Sequence, residues 1–114
     1  MFPFGAIPAM PVKSALSVSR MRKAAGEATA LLRALANEDR LMLLCQLSQG
    51  EQAVGELEAL LDIRQPTLSQ QLGVLRTQGL VETRRDGKRI YYCVADPDAL
   101  AVLKLLYSLY CPTR

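Results

Sequence analysis

A mainly helical domain carrying one small β-hairpin is what this chain predicts, on three observations. Apolar residues recur at helical spacing in five separate stretches. The stretch "LVETRRDGKRIYYCV" instead alternates on either side of Asp86-Gly87, a dipeptide that favours a two-residue hairpin turn because both positions accept positive φ. Only a few residues, "DIRQ", separate the third and fourth helical stretches, the spacing of a helix-turn-helix. Together these give a winged helix-turn-helix, ordered as four helices, a hairpin wing and a fifth helix.

Each element has its own signal. "RMRKAAGEATALLRAL", Arg20 to Leu35, sets Met21, Ala24, Ala28, Leu31, Leu32 and Leu35 on one face. Asn37 is placed as an N-cap, and Glu38 and Asp39 in the first turn suit the helix dipole. The second helix, "EDRLMLLCQLSQ", stops at Gly50 and is apolar nearly all round, which predicts a central, buried position. "VGELEALL" is a short third helix. A fourth begins at Pro66, a favoured first helical residue, and stops at Gly79. Pairing outward from Asp86-Gly87 opposes Thr83 to Ile90 and Val81 to Tyr92. Val81, Thr83, Ile90, Tyr92 and Val94 then face the core, with Glu82, Arg84, Arg89, Tyr91 and Cys93 outward. Asp96-Pro97 opens the fifth helix, "DPDALAVLKLLYSLY".

At 114 residues the chain is long enough for one modest core. Residues 1–19, apolar but broken by three prolines, are expected to be a flexible arm without the pattern of a signal peptide, and residues 20–114 the folded domain. No run is long enough to span a bilayer, so a cytoplasmic protein is expected. Three widely spaced cysteines without a CxxC argue against a disulfide scaffold or a zinc knuckle. With no histidine, no phosphate-cradling glycine loop and no recognisable carboxylate pair, an enzyme is not expected, nor is a cofactor or a resident metal.

The net charge of +3 is uneven: Arg64 to Arg89 carries +4 and the remainder −1. Such a segment is either a solvated charged hairpin or a nucleic-acid face. Its position favours the second. In the fourth helix Leu68, Leu72 and Leu75 form one stripe for the core, while Thr67, Gln70, Gly73 and Thr77 lie opposite and Gln65, Ser69 and Arg76 flank them. Gln65, Thr67, Ser69, Gln70 and Arg76 are therefore the candidate DNA-reading residues, because amides, hydroxyls and guanidinium suit base edges in a major groove. In the wing, Arg84, Arg85, Lys88 and Arg89 are candidates for phosphate or minor-groove contact. A winged-helix protein-interaction module without DNA binding is the competing reading from another class.

"LANEDRLMLLCQL", "VGELEALLDIRQPTLSQQLGVLRTQGLV" and "TRRDGKRIYYCV" resemble the ArsR-type bacterial winged-helix repressors over roughly residues 20 to 111. The resemblance implies a homodimer built on the first and last helices, bound to double-stranded operator DNA at an imperfect palindrome and released by an inducer. The Cys-x-Cys of arsenic- and cadmium-type sensors is missing from "VGELEAL", and the histidines of zinc-type sensors are missing altogether. What remains, Cys45 and Cys111, is similar to the thiol-based sulfide- and redox-sensing branch of BigR- and SqrR-type repressors, with HlyU-type regulators alike in the same blocks. That likeness implies redox-sensing thiols, linked by a disulfide or polysulfide when a persulfide, polysulfide or oxidant arrives. An antirepressor role is implied at some promoters. A soft-metal sensor is the alternative trigger, with a three-thiol or thiol-carboxylate site built on Cys45 and Cys111 and extended to Cys93 in the three-thiol form; Cys93 is otherwise incidental.

Overall fold

The computed structural model describes residues 17–111, so nearly all of the expected N-terminal arm lies outside the described residues. In chain order the elements are α1 (Val18–Leu35), α2 (Glu38–Leu47), β1 (Gln52–Ala53), α3 (Val54–Leu61), α4 (Thr67–Thr77), β2 (Val81–Asp86), β3 (Arg89–Val94) and α5 (Pro97–Tyr110). The chain divides into two compact units, residues 1–30 and 31–114. Within the first, the described residues form the exposed N-terminal part of α1.

The second unit holds the core. Leu43, Leu44 and Leu47 of α2, Leu57 of α3, Leu68, Leu72 and Leu75 of α4, and Ala99 and Leu103 of α5 are buried in one cluster with Leu80 and Val81. Burying each leucine contributes about 1.5–3 kcal/mol. Asn37, extended at φ −152°, accepts the Arg40 N–H at 3.0 Å and so caps α2 as expected. The complete burial expected of α2 is corrected. It packs on α3, α4 and β3, but Met42 on its other side stays 41% exposed, and Leu41 and Cys45 are only half-buried. Neighbouring elements within the unit cover the Leu43–Leu44–Leu47 face and stop there.

The helix-turn-helix is closed by two chain reversals. Asp62 ends α3 at φ 57°, the left-handed region an aspartate tolerates better than a branched residue. Gly79, at φ 76°, ends α4: its N–H reaches the Arg76 carbonyl at 3.0 Å while the Leu80 N–H reaches Leu75 at 2.9 Å. This 5→2 and 6→1 pair is a Schellman cap, sealed by contact of buried Leu80 with the core. Asp96 caps α5 through Oδ1, which accepts the N–H groups of Asp98 at 2.8 Å and Ala99 at 3.4 Å.

The sheet is antiparallel in the order β1-β3-β2. Its hairpin register differs from the expected one: Val81 opposes Val94, Thr83 opposes Tyr92, and Asp86 opposes Arg89. The turn is therefore Gly87-Lys88. A turn centred on Asp86-Gly87 with both residues at positive φ does not form, because Gly87 alone takes one, at 65°. The shift moves each partner by two residues, an even step, so the inward and outward alternation is kept; Ile90, expected to face the core, instead lies near the wing tip beyond it and is 38% exposed. Strand β1 was not expected. Two residues are too few to show alternation, yet Gln52 and Ala53 pair with Tyr92 and Tyr91.

Candidate nucleic-acid interface and thiol pair

Helix α4 divides as its sequence predicts. Its three leucines are buried, and Ser69, Gln70, Gly73, Arg76 and Thr77 are exposed on the other side, with Thr67 half-buried at the start. Gln65 is exposed but already employed, since its Oε1 accepts the Ser69 N–H at 3.1 Å. That bond satisfies one of the free donors at the helix start and leaves the Gln65 amide NH₂ available.

The wing cations are not equivalent. Arg85, Lys88 and Arg89 are exposed and form no ion pair among the described residues. Arg84 instead binds Glu51 before β1: its Nε lies 3.0 Å from both carboxylate oxygens, and Nη2 also donates to Oε1. The Arg84 bond holds the Glu51 carboxyl below its ordinary value, so the pair persists further into acid than a free glutamate would allow. Tyr91 lies under both Arg84 and Arg89, with guanidinium carbons 4.7 and 5.6 Å from the ring centre. Glu51 escaped the sequence reading because it lies 33 residues from Arg84, beyond any local pattern.

This pairing predicts a graded salt response. Arg85→Ala is expected to lower the slope of log affinity against log salt by about one unit per lost phosphate contact. Arg84→Ala should lower it less, because Glu51 already offsets that charge. Titrations of a duplex at several salt concentrations check this; equal slope losses would show that Glu51 does not shield Arg84.

Cys45 and Cys111 belong to a separate site. Cys45 opens into a cavity of about 350 Å³ between α2 and α5, lined also by Ser48, Gln49, Leu103, Lys104 and Tyr107. Burial pushes the Cys45 thiol above its ordinary value, and negative charge on Cys111 pushes it the same way. Both cysteines are free thiols. Cys111 is exposed and caps α5, its N–H donating to the Tyr107 carbonyl at 2.8 Å. Cys93 stands elsewhere, half-buried on the outer face of β3, with Sγ 3.9 Å from Glu82 Oε2. Burial, and then Glu82, raise its pKa too. The three-thiol metal site is not assembled: no group of three or more potential ligands gathers among the described residues.

Residues 37–83, which include the whole helix-turn-helix and the start of the wing, match the profile described as bacterial regulatory protein, arsR family. A biofilm growth-associated repressor of Agrobacterium fabrum is 57% identical over 91 residues, covering 80% of this chain and 78% of its own. The chain belongs to the arsR family. This arsR-family member is also 41% identical to the transcriptional activator HlyU of Vibrio cholerae over 96 residues, covering 84% of this chain and 89% of that one. The crystal structure of the repressor BigR from Xylella fastidiosa superposes with a TM-score of 0.77 at 47% identity, covering 86% of this chain and all of its own. The arsR-family member is thus a winged helix-turn-helix transcriptional regulator and not an enzyme.

Proposed function

We propose that this arsR-family regulator is a homodimeric repressor that holds double-stranded operator DNA through α4 and the wing and lets go when Cys45 and Cys111 become linked. The observation that carries the reading is the thiol pair on facing helices, one sulfur half-buried beside a cavity and the other exposed. The likeness to two repressors supports the direction of control. The operator is an imperfect palindrome, as two-fold pairing of reading heads requires. Helix α5 supports the dimer by leaving Leu105, Tyr107, Leu109 and Tyr110 exposed, and α1 separately leaves Val18, Met21 and Leu32 exposed. No described helix is long and apolar enough to cross a membrane, and action on DNA supports a cytoplasmic location.

The inducer is a persulfide, a polysulfide or another thiol oxidant. The exposed Cys111 thiolate attacks the outer sulfur of a persulfide RSSH and displaces RSH, becoming Cys111–S–SH. The Cys45 thiolate then attacks Cys111 Sγ and displaces hydrosulfide, leaving a Cys45–Cys111 disulfide. The protein loses two electrons and two protons, and RSSH is reduced to RSH and H₂S. Each further sulfur kept in the bridge consumes one more persulfide and releases one more RSH. The link ties α2 to α5. Because α2 also packs on α4, the constraint reaches the reading helix.

Mass spectrometry of persulfide-treated protein, paired with titration of a duplex selected by the untreated protein, tests this. A bridge between these two cysteines and an affinity loss of about 5- to 150-fold are expected. Full affinity with no bridge would overturn the sensing mechanism. The likeness to an activator supports a second reading, in which the same DNA binding displaces another repressor.

A further inference from the structure

Arg40 behaves unlike a surface arginine. It sits in the first turn of α2 beside Glu38 and Asp39, yet its guanidinium forms no ion pair with either among the described residues. It turns back instead. Nε donates to the Ala34 carbonyl at 2.7 Å and Nη2 to the Arg33 carbonyl at 3.0 Å, while Nη1 donates to Gln71 Oε1 on α4 at 2.9 Å. The two carbonyls belong to the last turn of α1, where a cation is favoured by the dipole; the Arg33 carbonyl also accepts the Ala36 N–H at 3.2 Å. Arginine has donors only, so Gln71 has to present its oxygen.

Gln71 lies between the buried Leu72 and the exposed Gln70. Its half-buried amide is the polar contact from α4 to this clamp, whereas the three leucines alone constrain the helix only by non-directional packing. A planar fork fixes direction as well as distance. We infer that Arg40 and Gln71 form a positioning device that sets the rotation of α4 against the end of α1, and with it the aim of Gln70 and its neighbours at the bases. The inference rests on the reading that α4 contacts base edges, and adds to it two residues that need not touch DNA.

The test compares affinity for a duplex selected from a random pool by the wild-type protein with affinity for a scrambled duplex of equal length and composition. Arg40→Lys keeps the charge but loses the fork, and Gln71→Leu keeps the volume but loses the acceptor. Each is expected to cut the selected-to-scrambled ratio about tenfold, a typical scale for a lost charge-assisted bond. The double variant should lose no more than the worse single one, the signature of a shared contact. Gln71→Glu, which keeps the acceptor, should preserve the ratio. A partly unfolded fraction lowers both affinities alike and leaves the ratio unmoved. Losses that multiply in the double variant, or an unchanged ratio in Arg40→Lys, would overturn the positioning role. Gln70→Ala separates the two levels. If it leaves the ratio intact, the reading role of α4 fails and takes this inference with it; if it collapses the ratio while Arg40→Lys and Gln71→Leu do not, the positioning role alone is wrong.

Discussion

Leu44→Ala is expected to lower the unfolding free energy by about 3–5 kcal/mol, the upper part of the range for leucine truncations in rigid cores. Leu44 is fully buried on α2, the helix that meets α3, α4 and β3 together. No single neighbour can move into the space without parting from the others, so the cavity stays largely open. Against a typical total stability of about 5–15 kcal/mol, the loss is a large share. The thermal midpoint should fall by roughly 4–8 °C for each kcal/mol in a domain of this size. Urea unfolding at fixed protomer concentration checks the figure, since any dimer adds a concentration-dependent contribution. A loss below about 1 kcal/mol would mean that the surrounding leucines repack.

The second large effect concerns the switch. Cys111→Ser and Cys45→Ala are each expected to abolish the persulfide response, so treated and untreated protein bind the selected duplex alike where the wild type loses about 5- to 150-fold. Cys93→Ser should keep the full response, because Cys93 stands on the outer face of the sheet beside Glu82. A Cys111→Ser protein that still releases DNA would place the sensing chemistry elsewhere. The reaction should also depend on pH. The thiolate is the attacking species, and burial raises the Cys45 value above that of a free cysteine, so the bridge-closing rate should keep climbing beyond the pH at which a free cysteine ionises. Linkage has the matching sign: folding favours the neutral Cys45 thiol, a contribution fully present below the unfolded-state value and lost as pH rises through the raised folded-state value. Stopped-flow bridging rates between pH 7 and about 10 check the kinetic half.

What the sequence conveys and what it withholds divide along a physical line. Helix periodicity placed Leu68, Leu72 and Leu75 inward and Ser69, Gln70 and Arg76 outward, because one helix fixes those angles by itself. Caps at Asn37 and Asp96 were equally local. The hairpin was foreseen but its turn was misplaced by one residue, since Asp86-Gly87 and Gly87-Lys88 both supply a glycine for the positive φ. Contacts made at long range gave no sign. Glu51 on Arg84 and Arg40 on Gln71 join residues 33 and 31 apart, and Arg84 accordingly looked like a free cation. The likeness to the thiol-sensing branch singled out Cys45 and Cys111; the α2–α5 cavity beside Cys45, and the residues that line it, came only with the fold.

The even step in the hairpin register bears on how such a wing can change length. Adding or removing residues in pairs between β2 and β3 moves the tip and its cations nearer to or farther from a duplex, while Tyr92 and Val94 keep their inner face. A single insertion within β3 would reverse the faces of the β3 residues on one side of it, while Arg84 on β2 would stay outward. Reach across a groove is therefore available to this wing in discrete increments, of roughly 3.3 Å for each inserted pair, one residue per strand.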